Sequence, residues 1–294
     1  MQNAIEQFCR EASQIIGPES PFVKSLTLET PPRLIYHYTN DVGLKGIVES
    51  GKLWLTEVSS LNDPSELNHG FGVAVRELKG MVINEPTESQ KFAADLELVA
   101  AKDTIQKSAD FFICSFSLCG DDLGQWRAYA DNGRGFALGF DAAAFEAGSQ
   151  LDSFPLAYDD DKLAEIDREI IAKALPLARL SNFKDDLSIA FMTYVTNTAI
   201  YFKHPAYKSE MEYRFLEAFS ADASPSVSWR ARRNELIRYR EFDWRTVAPR
   251  ALKEIVVGPG GQGNASRFAN ECLCWHPDAE NVAIIRSSIP YKAF

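Results

Sequence analysis

The chain has 294 residues, 46% hydrophobic, 24% charged and 12% aromatic, with a formal net charge of −10. This is ordinary globular composition with enough chain to bury a large core, and the negative balance argues against non-specific binding along nucleic acid. The charged amphipathic start and the want of any long apolar run predict neither a signal peptide nor a membrane span, and five cysteines, an odd and sparse set, read as reduced thiols of a cytoplasmic protein.

The opening MQNAIEQFCREASQII has helical spacing and leads into a loop holding Pro31 and Pro32. A short strand is expected from about Arg33 to Tyr38, then Asn40 as a helix N-cap, VGLKGIVESG as a short helix and Gly51 as its stop. KLWLTEV reads as a strand, and Asn62-Asp63-Pro64 signals a turn and a helix start. Helical spacing runs from Glu88 to Ala109, DFFICSFSL is a mostly buried strand, and LGQWRAYADNGRGFALGFD is a short helix, a turn at Asn132-Gly133 and a strand. Apolar residues recur every three or four positions from about Asp161 to Phe202. YKSEMEYRF, LKEIVVGPGG and NVAIIRSSIP supply the later strands. Strands and helices mix without regular alternation, so the expected class is α+β with a mostly antiparallel sheet. Residues 1–30 read as an N-terminal helix and linker, and 31–294 as one α+β domain.

SEMEYRF carries the sharpest local pattern. On a strand, Glu210, Glu212 and Arg214 share one face, while Met211, Tyr213 and Phe215 take the other. The alternation fits a half-buried strand with a solvated outer face, or two carboxylates at the mouth of a site. So close a pair would push one pKa upward, which suits a general base. Between Trp229 and Lys253 lie eight basic residues, Arg230, Arg232, Arg233, Arg238, Arg240, Arg245, Arg250 and Lys253, against Glu235, Glu241 and Asp243. That run reads as a solvated face or as a contact for nucleic acid or phosphate.

Other motifs carry less. Gly258, Gly260 and Gly263 spell G-x-G-x-x-G, but too little chain follows for a multi-strand parallel unit, so a flexible turn is expected rather than a dinucleotide fold. Cys114 and Cys119, and Cys272, Cys274 and His276, lack the paired spacing of zinc sites, so no metal is expected. No serine-hydrolase or kinase signature occurs. His37, Ser115, Ser117, Trp126, Arg127 and Tyr129, added to the carboxylates, make up a set that can hold a nucleotide: histidine and hydroxyls on ribose, aromatics on a base, arginine on phosphate.

Read in order, YHYT, GKLWLTEVSSLNDPSE, FFICSFS, QWRAYADNGRGFALGFD, YKSEMEYRF, LKEIVVG and SIPYK resemble a widespread bacterial family, domain of unknown function 2971, from about Arg33 onward. That family is in turn distantly similar to the ADP-ribosyltransferase superfamily. Its pattern is a first-strand His or Arg, a second-strand Tyr or Ser-Thr-Ser, and a late-strand Glu, often as Glu-x-Glu. Here His37, Ser115-Phe116-Ser117 and Glu210-Met211-Glu212 follow that order. The resemblance implies a split, mostly antiparallel sheet with a helical insertion around 160–203, and NAD as substrate. It also implies ADP-ribosyltransferase or NAD glycohydrolase activity on an unknown macromolecular acceptor, as in a toxin or phage-defence effector. In that reading Glu212 stabilises the oxocarbenium-like transition state and Glu210 orients or deprotonates the acceptor. His37, with Tyr38, Thr39, Ser115 and Ser117, holds ribose, Trp126 or Tyr129 stacks on a ring, Arg127 meets phosphate, and Arg214 offsets the repulsion of the two acids or binds phosphate. Two alternatives remain: RNA 2′-phosphotransfer, and a non-enzymatic nucleotide- or nucleic-acid-sensing module that uses residues 229–253 as its contact surface.

Overall fold

A computed structural model describes residues 2–17, 19–26, 32–60, 65–100, 109–179, 184–220, 226–232, 234–261 and 263–291. The expected turn at Asn62-Asp63-Pro64 and the basic residue Arg233 lie outside the described residues. After helices α1 (Gln2–Ile16) and α2 (Pro21–Leu26), the sheet begins with β1 (Ile35–Thr39). Local chemistry then dictates the next turn of chain. Asn40 accepts a hydrogen bond from the Gly43 amide at 2.9 Å and starts α3 (Asp41–Ser50). Gly51, at φ 71°, ends that helix in the left-handed conformation open to glycine. β2 (Leu53–Glu57), α4 (Ser65–Met81), α5 (Thr87–Ala100), β3 (Ala109–Ser117), α6 (Leu123–Tyr129) and β4 (Phe136–Phe140) follow.

The second half holds α7 (Ala142–Gly148), β5 (Asp152–Pro155), α8 (Asp160–Ala178), α9 (Lys184–Ala199) and β6 (Glu212–Ser220). It continues with β7 (Ser228–Arg232), β8 (Glu235–Phe242), α10 (Trp244–Val247), β9 (Leu252–Val257), α11 (Ala265–Cys272) and β10 (Ala283–Arg286). The strands form one mixed, mostly antiparallel sheet in the order β10-β9-β4-β1-β3-β2-β8-β7, with β6 on β3 and β5 on β6. The class is α+β. Among the described strands β9 and β10 are the parallel pair, joined through α11. The glycine run between β9 and α11 binds backbone: the Gly258 amide donates to Gly135 O at 2.9 Å and that of Gly260 to Gly133 O at 2.8 Å. A Cβ at Gly258 would lie 2.4 Å from Gly133 O, so close backbone approach accounts for that glycine.

The two larger cores lie one against the sheet and one among the helices. One face is sealed by Leu53, Leu55, Phe116, Phe140, Phe145 and Trp244, with α3, α7, α10 and α11. Away from it, α1, α4, α5, α8 and α9 share an apolar core that includes Phe8, Phe71, Phe92, Ile170 and Phe191. The helical stretch expected around 160–203 is thus α8 and α9, packed within a larger helical layer. Among the described residues no helix is long and apolar enough to cross a membrane.

Asp167 interrupts that apolar core. It is fully buried on α8, and neither carboxylate oxygen has a hydrogen-bond partner. Burial, then the charge of Glu77, hold its pKa well above the ordinary 3.8. A raised folded-state pKa means the fold loses stability as the pH climbs above 3.8, because the unfolded chain ionises freely. Asp167→Leu is therefore expected to raise stability by about 1–3 kcal/mol at pH 7, and by less at pH 4. Urea titrations at the two pH values measure both quantities, and a destabilised variant at pH 7 would refute this account of the residue.

Candidate active site

A fork in the sheet builds the site. β6 pairs with β3 along its whole length, from Ala109↔Ser220 to Ser117↔Glu212. The opposite edge of β3 is shared: β2 pairs at Phe112 and Ile113, and β1 at Ser117. Residues 114–116 lie where β1 and β2 diverge. His37 bridges that gap from β1, its Nδ1 3.1 Å from the Ser115 carbonyl oxygen. A carbonyl only accepts, so Nδ1 carries the proton. Burial lowers the His37 pKa from 6.5, the Ser115 carbonyl opposing and Arg230 adding to the shift. The imidazole is therefore neutral near pH 7, with Nε2 as an acceptor.

A cavity of about 250 Å³ opens at the fork, lined by His37, Ser115, Glu212, Glu210, Lys203 and Tyr129 among others. Antiparallel register explains the convergence of the strand residues other than His37, since directly paired residues share a face, while His37 comes from the opposite face through the gap. Ser115 faces Arg214 and Ser117 faces Glu212. Thr56 faces Ile113 and Tyr239, and Arg230 lies two residues from Ser228, which pairs with Tyr239. One sheet face thus carries Glu212, Arg214, Ser115, Ser117, Thr56, Trp54, Tyr239 and Arg230.

Glu212 is the most heavily bonded group there. Its Oε1 accepts from Ser115 Oγ at 2.7 Å and Arg214 Nε at 2.6 Å, and its Oε2 from Lys203 Nζ at 2.9 Å. Burial opposes its charge most strongly, but Arg214 and Lys203 together outweigh burial and lower the carboxyl from 4.5 to about 2. The raised pKa expected of the carboxylate pair is thus reversed at Glu212, because a buried cation stands between the two acids. Lys203 is 4% exposed and also reaches Glu210 Oε2 at 2.6 Å. Its ammonium sits 4.9 Å from the Tyr207 ring centroid. Lys203 was not picked out from the sequence; the one signal is a lysine set among large apolar residues in AIYFKHP.

Glu210 is not on the strand. Residues Pro205–Glu210 form a 3-10 turn begun by proline, and Met211 adopts φ 45°, so β6 starts only at Glu212. The two acids meet because this left-handed kink folds Glu210 back, where Tyr129 donates to its Oε1 at 3.0 Å. Nor is the charged face of the strand solvated: Glu212 and Arg214 are both buried.

The remaining candidates divide. Tyr38 and Ser117 line the cavity, Ser117 Oγ donating to the Glu210 carbonyl oxygen at 2.8 Å and Tyr38 to Cys119 O at 2.8 Å. Thr39 lines an adjoining cavity instead. Trp126 offers no face to a ligand: it is fully buried, edge-on to Tyr38, with Nε1 donating to Asp121 at 2.8 Å. Arg127 is exposed on α6 and lines a surface hollow with Gly124, Ala128 and Asn132. Arg214, 1% exposed and held on Glu212 and Ile200 O, serves the carboxylate and is closed to phosphate.

The basic segment is largely a hairpin, β7–β8, and much of its charge is answered. Arg238 forks onto Asp110 and Arg240 onto Glu217. Arg232 donates to Ser60 O at 2.7 Å. The adjoining cavity, about 820 Å³, shares His37, Trp54, Thr56 and Tyr129 with the first and reaches Arg230. Of the cysteines, Cys114 and Cys272 are buried and Cys274 is exposed.

No curated protein and no solved structure matches the chain. Residues 125–215, which run from α6 to β6 and include Tyr129, Lys203, Glu210, Glu212 and Arg214, match the model of the family described as a protein of unknown function, DUF2971.

Proposed function

We propose that this cleft cleaves the nicotinamide–ribose bond of NAD, passing ADP-ribose to an acceptor or to water. The observation that carries the reading is the meeting of His37, Ser115 and an ionised Glu212 in one cavity at the fork of the sheet. Departure of nicotinamide leaves positive charge on the ribose, and a carboxylate held ionised beside it lowers that barrier electrostatically. A carboxylate has about four acceptor positions; three on Glu212 are taken by Ser115, Arg214 and Lys203, which leaves one for a ribose hydroxyl. His37 Nε2 accepts from a second hydroxyl. Glu210, with a side chain 16% exposed against 6% for Glu212, is the carboxylate placed to orient the acceptor.

One observation favours a nucleotide-sensing module instead. Lys203 pairs with both carboxylates, and a neutralised Glu212 still grips a hydroxyl but stabilises a cation less. Incubation with labelled NAD, with and without cell extract or nucleic acid, separates the two. Nicotinamide release or label transfer by the wild type, lost in Glu212→Gln, supports the enzyme. Nucleotide binding with no NAD consumed under any acceptor condition leaves the sensing module.

A further inference from the structure

Arg230 is the unanswered charge on the wall of the second cavity. Its guanidinium donates to Thr56 Oγ1 at 3.1 Å and lies 5.0 Å from the Trp54 ring centroid. Its Nε is buried with no hydrogen-bond partner, and among the described residues it forms no ion pair. The acids lining the cavity are already occupied: Glu241 is bound to Lys52 and Glu49 to Lys45. Burial, and then the charge of Arg232, weaken the hold of Arg230 on its proton by more than Tyr239 restores it. A half-buried cation without a counter-ion is costly, and the neighbouring Arg238 and Arg240 show how this hairpin otherwise answers its arginines.

An anion relieves that cost, and a guanidinium fork fits phosphate oxygens. Beside it Trp54 stays 44% exposed although Tyr239 leans on it at 4.6 Å and Arg230 lies over its ring at 5.0 Å, so indole surface remains for a second ring. We infer that Trp54 and Arg230 form a nucleotide subsite, with a base stacked on Trp54 and a phosphate on Arg230. The subsite stands on the geometry of the second cavity and needs no chemistry at Glu212. Its occupant is a free nucleotide or one unit of a single-stranded polynucleotide, which share this chemistry.

Calorimetric titration with AMP, adenosine and a ten-residue riboadenylate tests it, because none of the three has a nicotinamide bond to cleave. Arg230→Gln is expected to weaken AMP about tenfold or more and leave adenosine unchanged. Trp54→Leu is expected to weaken both about tenfold, and Lys91→Gln, on the exposed surface of α5, to change neither. Thermal melting of each variant shows that the fold is kept. A riboadenylate that binds about tenfold tighter than AMP assigns the subsite to a polynucleotide, and equal affinity assigns it to a free nucleotide. The proposal is overturned if AMP shows no saturable binding below about 1 mM, or if both cavity variants bind it like the wild type.

Discussion

Lys203→Met is expected to cost about 3–5 kcal/mol of stability at neutral pH, the usual penalty for stripping one partner from a buried ionic cluster. The lysine is buried, and it is the cation that lies between Glu210 Oε2 and Glu212 Oε2. Methionine fills a similar volume but leaves two carboxylates facing each other, with Arg214 to answer Glu212 alone. The loss should shrink in acid, where Glu212 of the variant, without the lysine that helps hold its pKa down, protonates more readily and the repulsion fades. Urea denaturation at pH 7 and pH 4 gives both numbers. A change below about 1 kcal/mol at pH 7, the scale of an exposed pair, would show that the ammonium does not sit where the geometry puts it.

Glu212→Gln carries the largest expected effect on chemistry. Under the proposed reaction it should lower NAD cleavage by about 10²- to 10³-fold, the usual loss on removing one preorganised electrostatic group. Glu210→Gln should cost less than about tenfold in cleavage and act mainly on transfer to an acceptor. Equal and negligible effects would remove the carboxylates from the mechanism. The same substitution has a signature in the stability curve. The folded-state pKa of Glu212 lies below its ordinary 4.5, so its stabilisation is complete above 4.5 and is lost as the pH falls toward about 2. Glutamine does not titrate, so the acid limb of the stability profile should flatten in that window. Measuring both properties on one preparation separates a damaged fold from damaged chemistry.

The contrast between those acids shows which parts of the molecule were legible in the sequence. Asn40 and Gly51 act within their own helix, and the Asn132-Gly133 turn within a few residues, so local propensity sufficed. SEMEYRF misled because period two was carried one residue pair too far: the 3-10 turn after Pro205 and the left-handed Met211 break the strand before Glu212. Trp126 and Tyr129 look alike in QWRAYA, and only packing decides that one is sealed against Tyr38 while the other meets Glu210. Lys203 and Arg214 needed tertiary knowledge outright, because a buried cation is recognised by its partners rather than by its neighbours in sequence. The hairpin is written in local pattern: SWRAR and ELIRYREF alternate on either side of Asn234, whose φ of 69° suits a tight turn.

The fork also sets when the cleft comes into being. His37 and Ser115 are 78 residues apart in the chain, and Ser115 and Glu212 are 97 apart. Each contact closes a long loop, and that entropy must be spent before any reward arrives. The cluster of Lys203, Glu210, Glu212 and Arg214 is local, but His37 and Ser115 join it only as the central strands finish docking. Probes of the cleft and of global structure should therefore vanish together on denaturation and return together on refolding.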